Sequence, residues 1–179
     1  MKKQHRILAS LLLLLAPIVT VAQNNNAIHT FVQSIRNHKS MEVSFTYQTT
    51  GDLGKKEEAK EGKAYFQDEA YKIIMEDQHA ISDGKTTWQY IVEDEEVMVG
   101  NASDDDNPYQ ILDKLERDSS GLNPTFDPKG NLKKLEIEID EGVKLVLNIK
   151  EIKFDQDFKK GFFSFDEKAH PKAEIIDMR

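Results

Sequence analysis

The strongest constraint on the fold is a period of two that recurs along most of the chain. Met41, Val43, Phe45 and Tyr47 alternate with Glu42, Ser44, Thr46 and Gln48, which places every apolar side chain on one face of a strand. Strand patterns recur at Gly62 to Phe66, Tyr71 to Glu76, Ala80 to Ser82, Thr86 to Val92 and Glu96 to Val99. They return at Leu132 to Ile139 and Val143 to Ile152, and a last strand is predicted over Gly161 to Phe165. The intervening turns, such as Asp68-Glu69 and Glu93-Asp94-Glu95, are too short for parallel crossovers, so the strands form an antiparallel meander. At Asp83-Gly84 the sequence predicts a two-residue hairpin whose residues take positive φ.

Two helices interrupt the period. Ile28, Phe31, Val32 and Ile35 fall at i, i+3, i+4 and i+7, predicting a helix over 26–38. Its start is capped by Asn24 to Asn26, and Arg36, His38 and Lys39 suit its negative end. Asp104 to Asp106 precede Pro108, and Ile111, Leu112 and Leu115 follow at helical spacing, predicting a helix over 108–117. Thr49 to Glu61 reads as a polar loop.

About eight strands with one greasy face cannot be covered by two short helices. The expected fold class is therefore α+β: a curved antiparallel sheet forming an unclosed half β-barrel, with the helices as a lid. An incompletely filled interior is where an apolar ligand would sit. The candidate lining is the apolar sheet face: Val43, Phe45, Tyr47, Tyr71, Ile73, Met75, Trp88, Tyr90, Leu135, Ile137, Leu145, Leu147 and Phe163. Taken one at a time, each of these is also what an ordinary sheet core would carry.

Residues 1–22 have the layout of a secretory signal peptide. Lys2, Lys3 and Arg6 lead an uncharged run from Ile7 to Val21, and Thr20-Val21-Ala22 offers small residues for cleavage. A membrane anchor is the alternative, but the run is short against the ~20 residues needed and holds Pro17. Removing 22 of the 179 residues leaves 157, the size of one domain, 23–179. Taking the three basic residues from the 24 Lys plus Arg leaves 21 against 32 Asp plus Glu, a formal charge of −11. Such a chain is repelled by nucleic-acid phosphates and anionic lipid headgroups. The absence of cysteine excludes disulfides, thiol catalysis and a lipid-modified N-terminal Cys. A soluble, periplasmic product is expected.

Three motifs invite a chemical reading. Ser82-Asp83-Gly84-Lys85 matches a Ser-x-x-Lys pattern, but that motif must open a helix and needs companion motifs that are missing. The histidines His5, His29, His38, His79 and His170 are scattered, without ligand spacing. Asp104 to Asp106 lacks the alternating oxygen ligands of a calcium loop and reads as a helix-capping acidic run. No enzyme, cofactor or metal site is expected.

Several segments resemble the outer-membrane lipoprotein carrier protein family (LolA) and its LolA-like branch. The resemblance is carried by Met41-Glu42-Val43-Ser44-Phe45-Thr46-Tyr47, the Gly62 strand, Tyr71-Lys72-Ile73 and Val97-Met98-Val99. Its most specific block is Ile81-Ser82-Asp83-Gly84-Lys85-Thr86-Thr87-Trp88-Gln89-Tyr90. Gly161-Phe162-Phe163-Ser164-Phe165 and Ile176-Asp177-Met178-Arg179 complete it. The resemblance implies an unclosed barrel with a helical lid and no cofactor. It also implies a monomeric carrier that takes acylated lipoproteins from an inner-membrane lipoprotein-releasing transporter to an outer-membrane acceptor. Two departures stand out. Gln67-Asp68-Glu69-Ala70-Tyr71 lacks the arginine with which the family helps hold its lid shut, and the stretch between Leu115 and Leu132 is short. The second departure implies fewer strands and a smaller ligand. The alternatives are an exported binding module for another lipid or apolar ligand, and a structural β-domain with a filled core.

Overall fold

The computed structural model describes residues 16–50, 58–103, 110–118 and 120–179, with side chains from Asn26 onward. Most of the expected signal, much of the polar loop and the Asp104–Pro108 helix start lie outside the described residues. Helix α1 spans Ala16–Arg36, ten residues further toward the N-terminus than its apolar stripe predicts. Strands β1 (Ser40–Thr50), β2 (Lys60–Gln67), β3 (Ala70–Ile74), β4 (Gln78–Ser82), β5 (Thr86–Ile91) and β6 (Glu96–Asn101) follow. Helix α2 (Gln110–Arg117) leads to β7 (Leu122–Phe126), β8 (Leu132–Asp140), β9 (Val143–Phe154) and β10 (Glu174–Asp177).

The ten strands form one sheet in the order β10-β6-β5-β4-β3-β2-β1-β9-β8-β7. The first and last strands in that order do not pair, so the curved sheet stays unclosed, and with its two helices the fold is α+β. Ten strands replace the expected eight. β7 fills the stretch between Leu115 and Leu132, where the short connection implies fewer strands. β10 runs parallel to β6, with Ile175 opposite Val97 and Ile176 opposite Met98, so the sheet is antiparallel except at this edge.

Register decides which side chains share a face. Val43 lies opposite Ala64 in β2 and Ile152 in β9; Phe45 lies opposite Gly62 and Ile149. Ala64 in turn faces Ile73, and Ile73 faces Ala80. These residues define an inner face. On it, α1 and α2 bury Ile28, Phe31, Val32, Ile35, Leu112 and Leu115 against Met41, Leu122, Leu132 and Leu135. The helices therefore cover the part of the sheet around β1, β9, β8 and β7. Arg36 ties them together through Asp113 at 2.5 Å and Glu116 at 2.8 Å, with His29 on Glu116 at 3.1 Å.

Toward β6 the apolar surface changes sides. Ile81 lies opposite Trp88, and Trp88 opposite Val99; His79 lies opposite Tyr90, and Tyr90 opposite Val97. All belong to the outer face, because Ile81 is paired with Lys72 and Lys72 with Tyr65, which faces away with Glu42. The segment between β9 and β10 crosses this face as a strap. Phe158 and Phe162 pack on Tyr65, with Tyr65–Phe162 centroids 5.0 Å apart, Phe163 packs on Phe158 and Phe162, and Phe165 and His170 pack on Tyr90.

Two expectations need correction, one in the strap and one at the β4–β5 hairpin. Residues 160–163 form a turn, with Gly161 at φ 84 and the Phe162 N–H donating to the Lys159 carbonyl at 3.0 Å. A strand there would send Phe162 and Phe163 to opposite sides, whereas the turn gathers both rings with Phe158. The Asp83-Gly84 hairpin is shifted by one residue. Asp83 N–H donates to the Thr86 carbonyl, so Gly84 and Lys85 are the central pair and Gly84 alone has positive φ (86°). Asp83 acts through its side chain, whose Oδ1 accepts from the Lys85 and Thr86 N–H groups at 2.9 and 2.8 Å.

Candidate functional site: an apolar trough on the inner face

Next to the helix-covered core, the inner face carries a second apolar cluster. Phe45, Tyr47 and Ala64 are buried in it, and Val43, Phe66, Ile73, Met75, Leu145, Leu147 and Ile149 pack around them half-exposed. Among the described residues no helical side chain belongs to it, while Val43, Phe66, Leu147 and Ile149 also pack against the helix-covered core. Its shape depends on Gly62, over which the Phe45 ring lies flat against the strand: a Cβ there would sit 2.5 Å from Phe45 Cε2. A large ring over a glycine lies close to the sheet and lowers its surface locally; the half-exposed apolar strip around it is termed the trough.

One end of the trough is polar. The Tyr47 hydroxyl donates to Asp77 Oδ1 at 3.1 Å and accepts from the Glu76 N–H at 3.0 Å. Lys60 Nζ stands 3.7 Å from Glu76 and 4.0 Å from Asp77. Burial, with the Asp77 charge beside it, pushes the Tyr47 phenol up, so it stays protonated and keeps its donor role. The other end runs beneath α1. There a cleft of about 270 Å³ opens between α1, the β7–β8 turn and β9, lined by Phe31, Leu132, Ile149, Ile152 and Phe154 together with the polar Ser34, Asn131, Lys133, Lys150 and Glu151. Ile149 belongs to both the cleft and the trough. Ligand sites span roughly 300–1,000 Å³, so the cleft has room for no more than one slender chain.

Of the residues expected to line a site, Val43, Phe45, Tyr47, Tyr71, Ile73, Leu135, Ile137, Leu145 and Leu147 share the inner face by register. Met75 follows β3 and packs in the same cluster. Leu135 is buried under the helices and serves the core there. Trp88, Tyr90 and Phe163 do not join them. Trp88 and Tyr90 point to the outer face, and Phe163 sits in the strap turn against Phe158 and Phe162. Period two groups residues within a strand, but only the hairpin register says which side of the sheet each group occupies.

No family model and no curated protein matches the chain. Two solved structures are similar to it at a distance. One is an uncharacterized conserved protein from Thermus thermophilus, with TM-score 0.48 and 9% identity over 88% of this chain and 99% of that one. The other is a DUF1329 family protein from Desulfovibrio piger, with TM-score 0.44 and 11% identity over 80% of this chain and 97% of that one. At this distance neither says anything of activity or ligand.

Sequence reasoning misses several residues of the trough. Phe66 and Ala64 lie in a predicted strand, and the alternation Gly62, Ala64, Phe66 marks the face that Met41, Val43 and Phe45 oppose. The rim residues Lys60, Glu76 and Asp77 carry no motif; the Tyr47 hydroxyl joins Glu76 and Asp77, and Lys60 reaches both carboxylates from its place opposite Tyr47. The tempting Ser82 is buried at 2% exposure and its hydroxyl accepts from the Gly84 N–H, while Lys85 is exposed. Among the described residues, no group of three His, Cys, Asp or Glu is placed to hold a metal ion.

Proposed function

We propose that this chain is an exported, periplasmic carrier that binds acyl chains of lipoproteins non-covalently in the inner trough. The observation that carries the reading is the inner cluster around Phe45 and Tyr47, which among the described residues is built of strand residues and Met75 without a helical side chain, beside a sheet half that two helices do cover. Burying one CH₂ is worth about 0.8 kcal/mol, so a shallow trough holds a chain firmly while allowing transfer. Helices α1 and α2 play the lid, and the Arg36 pairs to Asp113 and Glu116 hold them together where the family arginine is missing. By the resemblance, cargo comes from an inner-membrane lipoprotein-releasing transporter and passes to an outer-membrane acceptor.

The cleft favours one aliphatic chain over several, so a carrier of another single-chain lipid is the second reading. Displacement of a fluorescent fatty acid tests both. Ile73→Glu and Leu147→Glu should each weaken binding at least tenfold, and Trp88→Glu, on the opposite face, should not. A triacylated lipoprotein that competes supports the lipoprotein reading; competition by fatty acid alone supports the second. If neither inner-face variant changes binding while both remain folded, the trough is not the site.

A further inference from the structure

We propose that the free edge of β10 is a docking site for an extended, lysine- or arginine-bearing segment of a partner protein, which adds to the sheet as an eleventh strand. The inference stands apart from the acyl reading, since the edge and the trough share no residue.

The backbone is the first argument. Among the described residues β10 is last in the strand order and pairs with β6 alone. Glu174 N–H donates to the Glu95 carbonyl at 2.8 Å and Met178 N–H to the Val99 carbonyl at 2.9 Å. In a parallel pair alternate residues address the neighbour. Ile175 and Asp177 therefore turn their N–H and C=O groups outward, a ready template for strand addition. Natural edges are commonly blunted by short length, charge, proline or a bulge; β10 is short and carries Glu174 and Asp177, but has no proline, no lysine and no bulge, and its charges are negative, so they turn away acidic strands and admit basic ones.

Exposure is the second. Ile175, Ile176 and Met178 are 44%, 38% and 63% exposed, and among the described residues the only other large exposed apolar side chain is Ile139. Ile175 sits on the outer face beside Val97 and Ile176 on the inner face beside Met98, so an added strand gains apolar contact on both sides.

Charge selects the occupant. Glu174 lies directly opposite Glu96, and like charges at that separation repel. Among the described residues neither carboxylate has a cation within ion-pair distance, whereas Asp177 is already held by Arg179 at 2.6 Å. The β5–β6 turn adds Glu93, Asp94 and Glu95. A cationic side chain from an incoming strand relieves the Glu174–Glu96 repulsion. A second copy of this chain, with net charge −8, would bring two such acidic ends together.

The test uses the full chain and a fluorescein-labelled peptide alternating Lys and Val, with two companions: one N-methylated at alternate residues, the other with Glu replacing Lys. By anisotropy the Lys peptide should bind, and each companion at least tenfold more weakly. Backbone NMR signals of Ile175 and Asp177 should shift on binding. Glu96→Gln combined with Glu174→Gln, both exposed positions, should weaken the Lys peptide several-fold without changing the circular dichroism spectrum. Equal binding of the N-methylated peptide overturns the proposal, as does absence of binding. So does a dimer in sedimentation whose Ile175 and Asp177 amides are protected from exchange.

Discussion

Replacing Gly62 with alanine probes the trough at its most constrained point. Gly62 has no positive φ, so alanine fits the backbone, and leaving glycine in a strand should gain about 0.5–1 kcal/mol. The added methyl, however, would stand 2.5 Å from Cε2 and 2.6 Å from Cζ of Phe45, a ring only 6% exposed. Overpacking of this kind costs about 1–3 kcal/mol, so the net loss should be about 1–2 kcal/mol. For a domain of this length that lowers Tm by about 2–4 °C per kcal/mol. Trp88 is the sole tryptophan and reports urea unfolding. In a Phe45→Leu background the clash is removed and Gly62→Ala should become neutral or stabilising, giving a coupling of about 1–3 kcal/mol. Displaced upward, Phe45 also fills the trough, so fatty-acid affinity should fall with Gly62→Ala and recover in the double variant. An alanine that destabilises equally in both backgrounds would refute the packing argument.

Three further outcomes follow from other contacts. Tyr47→Phe removes the bonds to Asp77 and the Glu76 N–H; with both partners near solvent the loss should be about 0.5–1.5 kcal/mol in urea unfolding. Phe162→Ala strips a half-buried ring from Tyr65, Phe158 and Phe163 and should cost about 1–3 kcal/mol, with Trp88 emission shifting red as the strap loosens. Burial, then the charges of His170 and Lys72, hold His79 below the ordinary histidine value. The unfolded chain takes up that proton near pH ~6.5 and the folded chain does so only lower. Stability from His79 is thus fully present above about pH 6.5 and lost as pH falls through its folded value; His79→Gln should flatten that part of the stability profile.

The strands most legible in the sequence are those where alternation is longest. β1, β8 and β9 begin and end within about two residues of their patterns, because burial of one face leaves period two as the only workable spacing. β7 is hidden because Leu122-Asn123-Pro124-Thr125-Phe126 contains a proline, tolerated here on the outermost strand. β10 is hidden because its four residues are all exposed, so no buried face imprints a pattern. The misplacement of Trp88 and Tyr90 is of another kind. Their shared face is legible from spacing; its side of the sheet is set three strands away, through the pairs Tyr65–Lys72, Lys72–Ile81 and Ile81–Trp88. Local sequence carries no record of that chain of registers.

The change of sides has an energetic consequence for any carrier reading. A sheet that relied on its inner face alone for stability would have to fill that face, and a filled face admits no ligand. Here two other assemblies hold the sheet: the helices over Met41, Leu122, Leu132 and Leu135, and the strap over Tyr65 and Tyr90. Those two sites bury most of the large apolar side chains that are fully enclosed, while Ile73, Met75, Leu145 and Leu147 stay half-exposed between them. Polar substitution at these four should therefore change ligand affinity far more than unfolding free energy, and substitution of Val97 or Leu115, at 0% and 4% exposure, should do the reverse. Parallel urea and fatty-acid titrations on Ile73→Asn and Val97→Ala separate the two. If Ile73→Asn lowers stability as much as Val97→Ala, the trough is core and the division between scaffold and binding surface fails.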